Sequence, residues 1–292
     1  MKVNETEGID VINQAELLGK LDKIVQKKSI AYRCSDMQPL QGGNGVISGI
    51  TYDAVQDKLK VLSTNIEAST ERIRAALTSE STEDLKAIYG EDIIDVLAYY
   101  LADELVYRID TRYLQMIKTR AKASKNLVFS SDYALELNTV IKTIVMRVSK
   151  SLNDLAFSDR RASGAFCVVN SDVAALLGFD AQGGIDGDCS YLGELSGISF
   201  FIDFTNDNSG TDACVCGIKG NGINRGSTVI SHYREDWVST VDHTNGSNIE
   251  FLVDRTAMSI NPLDNEFWLE GDGESAFLVK FDVDLTDVHA AV

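Results

Sequence analysis

One stretch of helical periodicity constrains this chain more than any other feature. Residues 84–117, DLKAIYGEDIIDVLAYYLADELVYRIDTRYLQMI, contain no proline and a single glycine, Gly90. Ile94, Leu97, Leu101, Leu105, Ile109, Tyr113 and Met116 recur at spacings of three or four, which is one apolar stripe of an α-helix. Glu80, Glu83 and Asp84 crowd its start, where the helix dipole favours acids. At the α-helical rise such a segment is roughly 50 Å long, well beyond an ordinary globular helix. The stripe advances mostly by four and does not keep heptads, which argues against a coiled coil. A single, unusually long helix is therefore expected.

Around it the pattern is mixed. GVISGITYD (45–53) and DKLKVLSTNIEAS (57–69) carry strand-like patches, with Leu59 and Val61 on one side and Lys58 and Lys60 on the other. This stretch runs on through TERIRAAL (70–77) and has few large apolar residues, so it reads as an extended hairpin that finds its burial on a neighbouring subunit. A second helix is expected over 132–157, with Leu137, Ile141, Ile144, Val148, Leu152 and Leu155 on one face. GAFCVVN (164–170) reads as a buried strand, and SDVAALLG (171–178) as a short helix opened by a Ser-Asp cap. ISFFIDFT (198–205) alternates strictly, and DACVCGIKG (212–220) is a further apolar strand. Three more strands are expected at 248–260, 265–271 and 275–285; in the last, Phe277, Val279, Phe281, Val283 and Leu285 share one face. AELLGKLDKIVQKK (15–28) is amphipathic but short, so residues 1–45 read as an arm that docks on something else. The fold class is α+β with non-local strand pairing.

Composition narrows function mainly by exclusion. The chain has 292 residues, 44% hydrophobic and 24% charged, enough for a proper core. Its 27 basic and 44 acidic residues give a net charge of −17, which repels phosphates and disfavours sequence-reading or DNA-wrapping roles. No apolar run approaches a membrane span, and the acidic early residues do not suit a signal peptide, so a soluble protein made in a cytoplasm is expected. The cysteines are Cys34, Cys167, Cys189, Cys214 and Cys216, an odd and scattered set expected to be reduced and buried.

The chemical motifs are weak. Cys214-x-Cys216 lacks the spacing and second pair of a zinc knuckle, and only His232, His243 and His289 could complete a site. The acidic loops DAQGGIDGD (180–188) and DNSGTD (207–212) miss the EF-hand spacing. GIKGNG (217–222) is neither a P-loop nor a dinucleotide fingerprint and reads as a glycine turn. No nucleophile or zinc-protease motif occurs; His232 and His243 sit in the polar segments HYRED and DHTNG, and His289 lies near the end of the chain. Accordingly no catalytic, cofactor-binding or metal residue is nominated, no cofactor is expected, and the chain reads as a non-enzyme.

Four stretches, in order, resemble the major capsid proteins of tailed bacteriophages, with the Hong Kong 97-type fold, and in pattern T-even-type members above all. TSESTEDLKAIYGEDIIDVLAYYLADELVYRID (78–110) resembles their spine-helix region, and RRASGAFCVVNSDVAALL (160–177) the strand-then-helix of their axial domain. GELSGISFFIDFTNDNSGTDACVCGIKG (193–220) resembles that domain's later strands, and VDRTAMSINPLDNEFW (253–268) a late strand ending in Asn-Pro. The resemblance implies an N-terminal arm at 1–45, an extended loop at 46–79, and a peripheral domain with the spine helix at 80–131. It further implies an axial domain at 132–245 and C-terminal peripheral strands at 246–292. It also implies a virion protein that assembles in the host cytoplasm into hexamers and pentamers of an icosahedral shell. That shell would enclose double-stranded DNA without sequence-specific contacts, with scaffold, portal and decoration proteins as partners and no membrane. Rival readings are an encapsulin-like or gene-transfer shell of the same fold, a minor phage or tail protein, and a carboxylate-dependent hydrolase.

Overall fold

The computed structural model describes residues 7–37, 44–53, 58–78, 84, 87–88, 93–129, 137–159, 164–179, 190–205, 213–219, 226–241, 248–261 and 275–284. In chain order the elements begin with helices α1 (Glu7–Lys28) and α2 (Ile30–Cys34) and strands β1 (Asp36–Met37), β2 (Asn44–Asp53), β3 (Lys58–Glu67) and β4 (Ser69–Leu77). The long helix α3 (Ile93–Arg120) follows, then β5 (Ala121–Ala123), β6 (Leu127–Val128) and helix α4 (Leu137–Asp159). Next come β7 (Gly164–Val169), helix α5 (Ser171–Leu176), β8 (Tyr191–Leu195), β9 (Ile198–Ile202) and β10 (Cys214–Lys219). The chain ends with β11 (Thr228–Val241), β12 (Asn248–Ile260), β13 (Ser275–Phe281) and β14 (Val283–Asp284).

The expected spine is α3, whose basic last turn, Lys118 and Arg120, suits the negative end of the helix dipole. Leu101, Leu105, Ile109 and Tyr113 are buried, with Leu97 and Met116 packed against the same core. Ala98, Ala102, Leu114 and Ile117 widen that stripe, so α3 buries far more than a single row. One side of it meets a four-stranded sheet ordered β1-β11-β12-β4.

The second sheet has six strands in the order β5-β13-β10-β7-β9-β8 and is covered on both faces. Phe166, Val168, Phe201, Val215 and Leu278 join the core built on α3. Their neighbours Cys167, Val169, Phe200, Cys214, Cys216 and Phe281 join a second core under α4, with Ile144, Val148, Leu152 and Leu155. Burial on both faces explains why β7 and β10 read as continuous apolar runs. Ser196 and Gly197, at φ 56° and 77°, close β8 onto β9 as a two-residue turn between the paired Leu195 and Ile198.

Several expectations are corrected by the pairing. Residues 16–35 do not form a detached arm: Leu17, Leu21, Val25, Ile30, Ala31, Tyr32 and Cys34 are buried in the α3 core. The apolar positions of α1 recur every four residues, enough to bury one face once α3 supplies the other. Residues 69–77, expected within the extended loop, pair antiparallel with β12 from Thr256 to Asn248, and Ile73 is buried. Only β2 and β3 form the separate two-stranded hairpin, with Asn44 opposite Glu67 and Asp53 opposite Lys58.

The chain also crosses the expected domain boundary at 245/246. β11, which lies before it, belongs with the four-stranded sheet, and β13, which lies after it, with the six-stranded one. The short helix α5 is capped by Asn170, one residue before the expected pair: its side chain accepts from the Val173 amide at 3.0 Å. The strand expected at 265–271, the loops 180–188 and 207–212, Cys189, His243 and His289 lie outside the described residues. Among the described residues no helix is long and apolar enough to cross a membrane.

Candidate assembly surfaces and polar clusters

Two surfaces of the molecule stand out. The first is the β2–β3 hairpin. Its ten paired positions leave both main sheets and extend roughly 30 Å at the usual strand rise. Its base is fixed by a small cluster in which Ile66 and Ala68 pack with Val229 and Ala257. The second is the outer side of α3, where Val96, Tyr99, Tyr100 and Tyr107 are exposed, Tyr100 at 71%. Tyrosine on an exposed helix face costs little as a monomer and offers a large amphipathic contact to a partner.

Polar joints hold these surfaces in place. Asp110, 1% exposed on α3, accepts from the Ser29 hydroxyl and from the amides of Ile30 and Ala31. It thereby caps the start of α2. Lys118 near the end of α3 pairs with the buried Asp203 after β9 and donates to Thr205 at 3.0 Å, tying the spine to the six-stranded sheet. Arg112 reaches Glu71 at 3.2 Å, the Ser69 hydroxyl and the Thr256 carbonyl, so α3 is also bound to β4 and β12.

The four described cysteines are buried. Cys214 and Cys216 share one face of β10, and the Cys216 sulfur lies 3.4 Å from that of Cys167 on the paired β7. Burial pushes the Cys167 thiol well above its ordinary value, which disfavours the thiolate that metal binding needs.

His232 was expected in an ordinary polar segment. It instead lies on β11, half-buried against α1 and α2. Its Nδ1 is 3.2 Å from Asp254 Oδ1 and 3.3 Å from the Tyr32 hydroxyl. The bond to Asp254 raises its pKa, against the opposing effect of burial. Glu235 is pushed up to about 7 by burial, with Asp254 and Asp22 adding repulsion. In a regular strand residues three apart point to opposite faces. A bulge between His232 and Arg234 shifts the register so that His232 and Glu235 come together. No periodicity in the sequence signals such a bulge.

The class of the fold, two sheets against a spanning helix with a separate β2–β3 hairpin, is given by comparison with solved structures. The fold is similar to a virus-like particle from Pyrococcus furiosus, with a TM-score of 0.58, 9% identity, and coverage of 92% of this chain and 99% of that one. It is similar to the capsid of an empty GTA particle, with a TM-score of 0.56, 12% identity, and coverage of 88% and 90%. For the mature capsid of bacteriophage PhiM1 the TM-score is 0.53, with 12% identity and 87% of each chain covered. No curated protein matches the sequence. The sequence model of the family described as "Major capsid protein Gp23" matches residues 52–283, and the chain belongs to that family. It is a structural protein of the phage capsid shell, with the Hong Kong 97-type α+β fold.

Proposed function

We propose that the chain is the repeating subunit of the icosahedral head of a tailed phage, assembling as hexamers and pentamers around double-stranded DNA. The observation that carries this reading is the β2–β3 hairpin: ten paired residues stand outside both sheets and are anchored to the subunit at their base. A two-stranded hairpin is marginal on its own in water, so a neighbouring subunit is its natural support. The α3 side with the four-stranded sheet would form the periphery of the capsomer, and the six-stranded sheet with α4 its axis. Many weak, symmetric contacts suffice, because closure multiplies them. The net charge of −17 suits a wall that encloses DNA without gripping it.

Assembly would take place in the host cytoplasm, with scaffold, portal and decoration proteins as partners, and the subunit would carry no enzymatic activity. Electron microscopy of the purified protein, with and without added scaffold, tests the proposal. Closed shells or capsomer-based tubes are expected, and nuclease-protected double-stranded DNA in particles from infected cells. A strictly monomeric species under all salts, with scaffold supplied, would overturn it.

A further inference from the structure

Asp22 on α1 and His232 and Glu235 on β11 each place one ligand atom within 4.8 Å of the other two. Nothing in strand periodicity requires this meeting. It depends on the bulge between His232 and Arg234, without which Glu235 would face away from His232. Bulges of this kind re-aim side chains beside sites.

The surroundings are those of a supported ligand set. His232 Nδ1 is held by Asp254, whose side chain is 2% exposed and which accepts from the Thr256 hydroxyl. Donation from Nδ1 to that carboxylate leaves the lone pair on Nε2, the arrangement that stands behind metal-bound imidazoles. The Tyr32 hydroxyl lies 3.3 Å from the same Nδ1. Glu235 Oε1 is shielded from solvent and has no hydrogen-bond donor among the described residues. Such an atom leaves a buried acceptor unmet unless a proton or a cation comes to it. Asp22 spends one oxygen on Gln26 Nε2 at 2.9 Å and has the other to offer. Three carboxylates, Asp22, Glu235 and Asp254, surround a single imidazole, so the cluster is short of positive charge.

We propose that Asp22, His232 and Glu235 bind a divalent metal ion that clamps α1 to the bulge of β11. One imidazole with two carboxylates suits a borderline ion such as zinc better than calcium or magnesium, which take oxygen donors. Two elements far apart in the chain would then share one ion, and α1 would be fixed to the sheet that backs the spine. The role is structural, and it does not depend on what the shell contains.

The test uses the full chain, stripped with a chelator, dialysed at neutral pH and titrated separately with zinc, manganese and calcium. Bound metal is read by elemental analysis and calorimetry. Zinc is expected to bind at about one ion per subunit and to raise the thermal midpoint, since the assembled site binds it more tightly than the unfolded chain does. Glu235→Gln and His232→Ala should abolish both effects while keeping the far-ultraviolet dichroism of the metal-free wild type. Asp254→Asn, which changes the support of the ring but none of the three ligands, should weaken binding about 10- to 100-fold. Because Glu235→Gln is nearly isosteric, it keeps the test decisive if His232→Ala misfolds. No saturable binding by the wild type would overturn the proposal. So would zinc binding that is equal in the wild type and Glu235→Gln, which would place the ion elsewhere.

Discussion

The hydroxyl of Ser29 lies 2.5 Å from the carboxylate of Asp110, across 81 residues of sequence, at the point where α1 gives way to α2. The same carboxylate takes the Ile30 amide at 2.9 Å and the Ala31 amide at 3.1 Å. A buried charge on the spine is thereby satisfied by the N-terminal segment, and the segment's orphan amides are satisfied by the spine.

Asp110→Ala should therefore destabilise the subunit by about 3 kcal/mol, because it strands three buried donors at once. Asp110→Asn should recover only part of that, since its amide group turns a donor toward backbone N–H. Denaturant midpoints measure the loss. Limited proteolysis should show earlier cutting within residues 16–35, whose apolar side chains are buried only while the joint holds.

How much of this was legible in the sequence depends on which residues carry the signal. The α3 stripe was readable because Leu101, Leu105, Ile109 and Tyr113 obey a single period and face a single core. In the six-stranded sheet, β7 and β10 were readable as apolar runs and β9 and β13 by alternation, whereas the short β5 and the half-buried β8 carry no such signal. The role of α1 was not, because its buried face of Leu17, Leu21 and Val25 is narrow and gains meaning only against α3. Strand β11 was missed because its buried positions change parity: Ile230 lies before the bulge and Trp237 after it, with charged residues between. For the same reason the meeting of His232 and Glu235 leaves no trace in residue spacing. Asp22 lies some two hundred residues away from both.

Gly217 tests the two-sided packing of the six-stranded sheet. Its register partners are Phe166 on β7 and Leu278 on β13, and both side chains lean over it. A Cβ there would sit 2.7 Å from Leu278 Cδ2 and closer still to the ring of Phe166. Gly217→Ala should cost about 2 kcal/mol through overpacking. When it is combined with Leu278→Ala, the loss should be smaller than the sum of the two single losses, which a double-mutant cycle would read as coupling. Simple additivity would contradict the close packing.

The outer face of α3 separates folding from assembly. Tyr99 and Tyr100 are 55% and 71% exposed, so replacing both with serine should change subunit stability by no more than about 1 kcal/mol. Assembly should suffer far more if these rings contact a neighbour, since tyrosines dominate many protein contacts. Sedimentation of the assembled fraction at fixed protein concentration measures the effect. Normal shell yield from the double variant would remove this face from the list of subunit contacts.

The hairpin offers the sharpest separation of the two, provided that the cut respects the fold. Removing residues 53–70 outright would take away Ile66 and Ala68, which pack on Val229 and Ala257, and the first residues of β4, which pair with β12. Such a variant would lose stability for reasons unrelated to assembly. Ile47 and Thr64, however, face each other directly across the hairpin. Joining them by Asn-Gly in place of residues 48–63 closes the shortened strands with the two-residue turn that antiparallel pairs favour. The base cluster and the four-stranded sheet remain intact, so the denaturation midpoint should stay close to that of the full chain. Shells should fail to close, because every subunit loses the segment expected to lie over its neighbour. In the full-length chain, Lys58→Glu with Lys60→Glu should weaken assembly most at low ionic strength, where charge contacts are least screened. Normal shells from the shortened chain would show that the hairpin plays no part in assembly. An unfolded product would show that the hairpin supports the subunit itself.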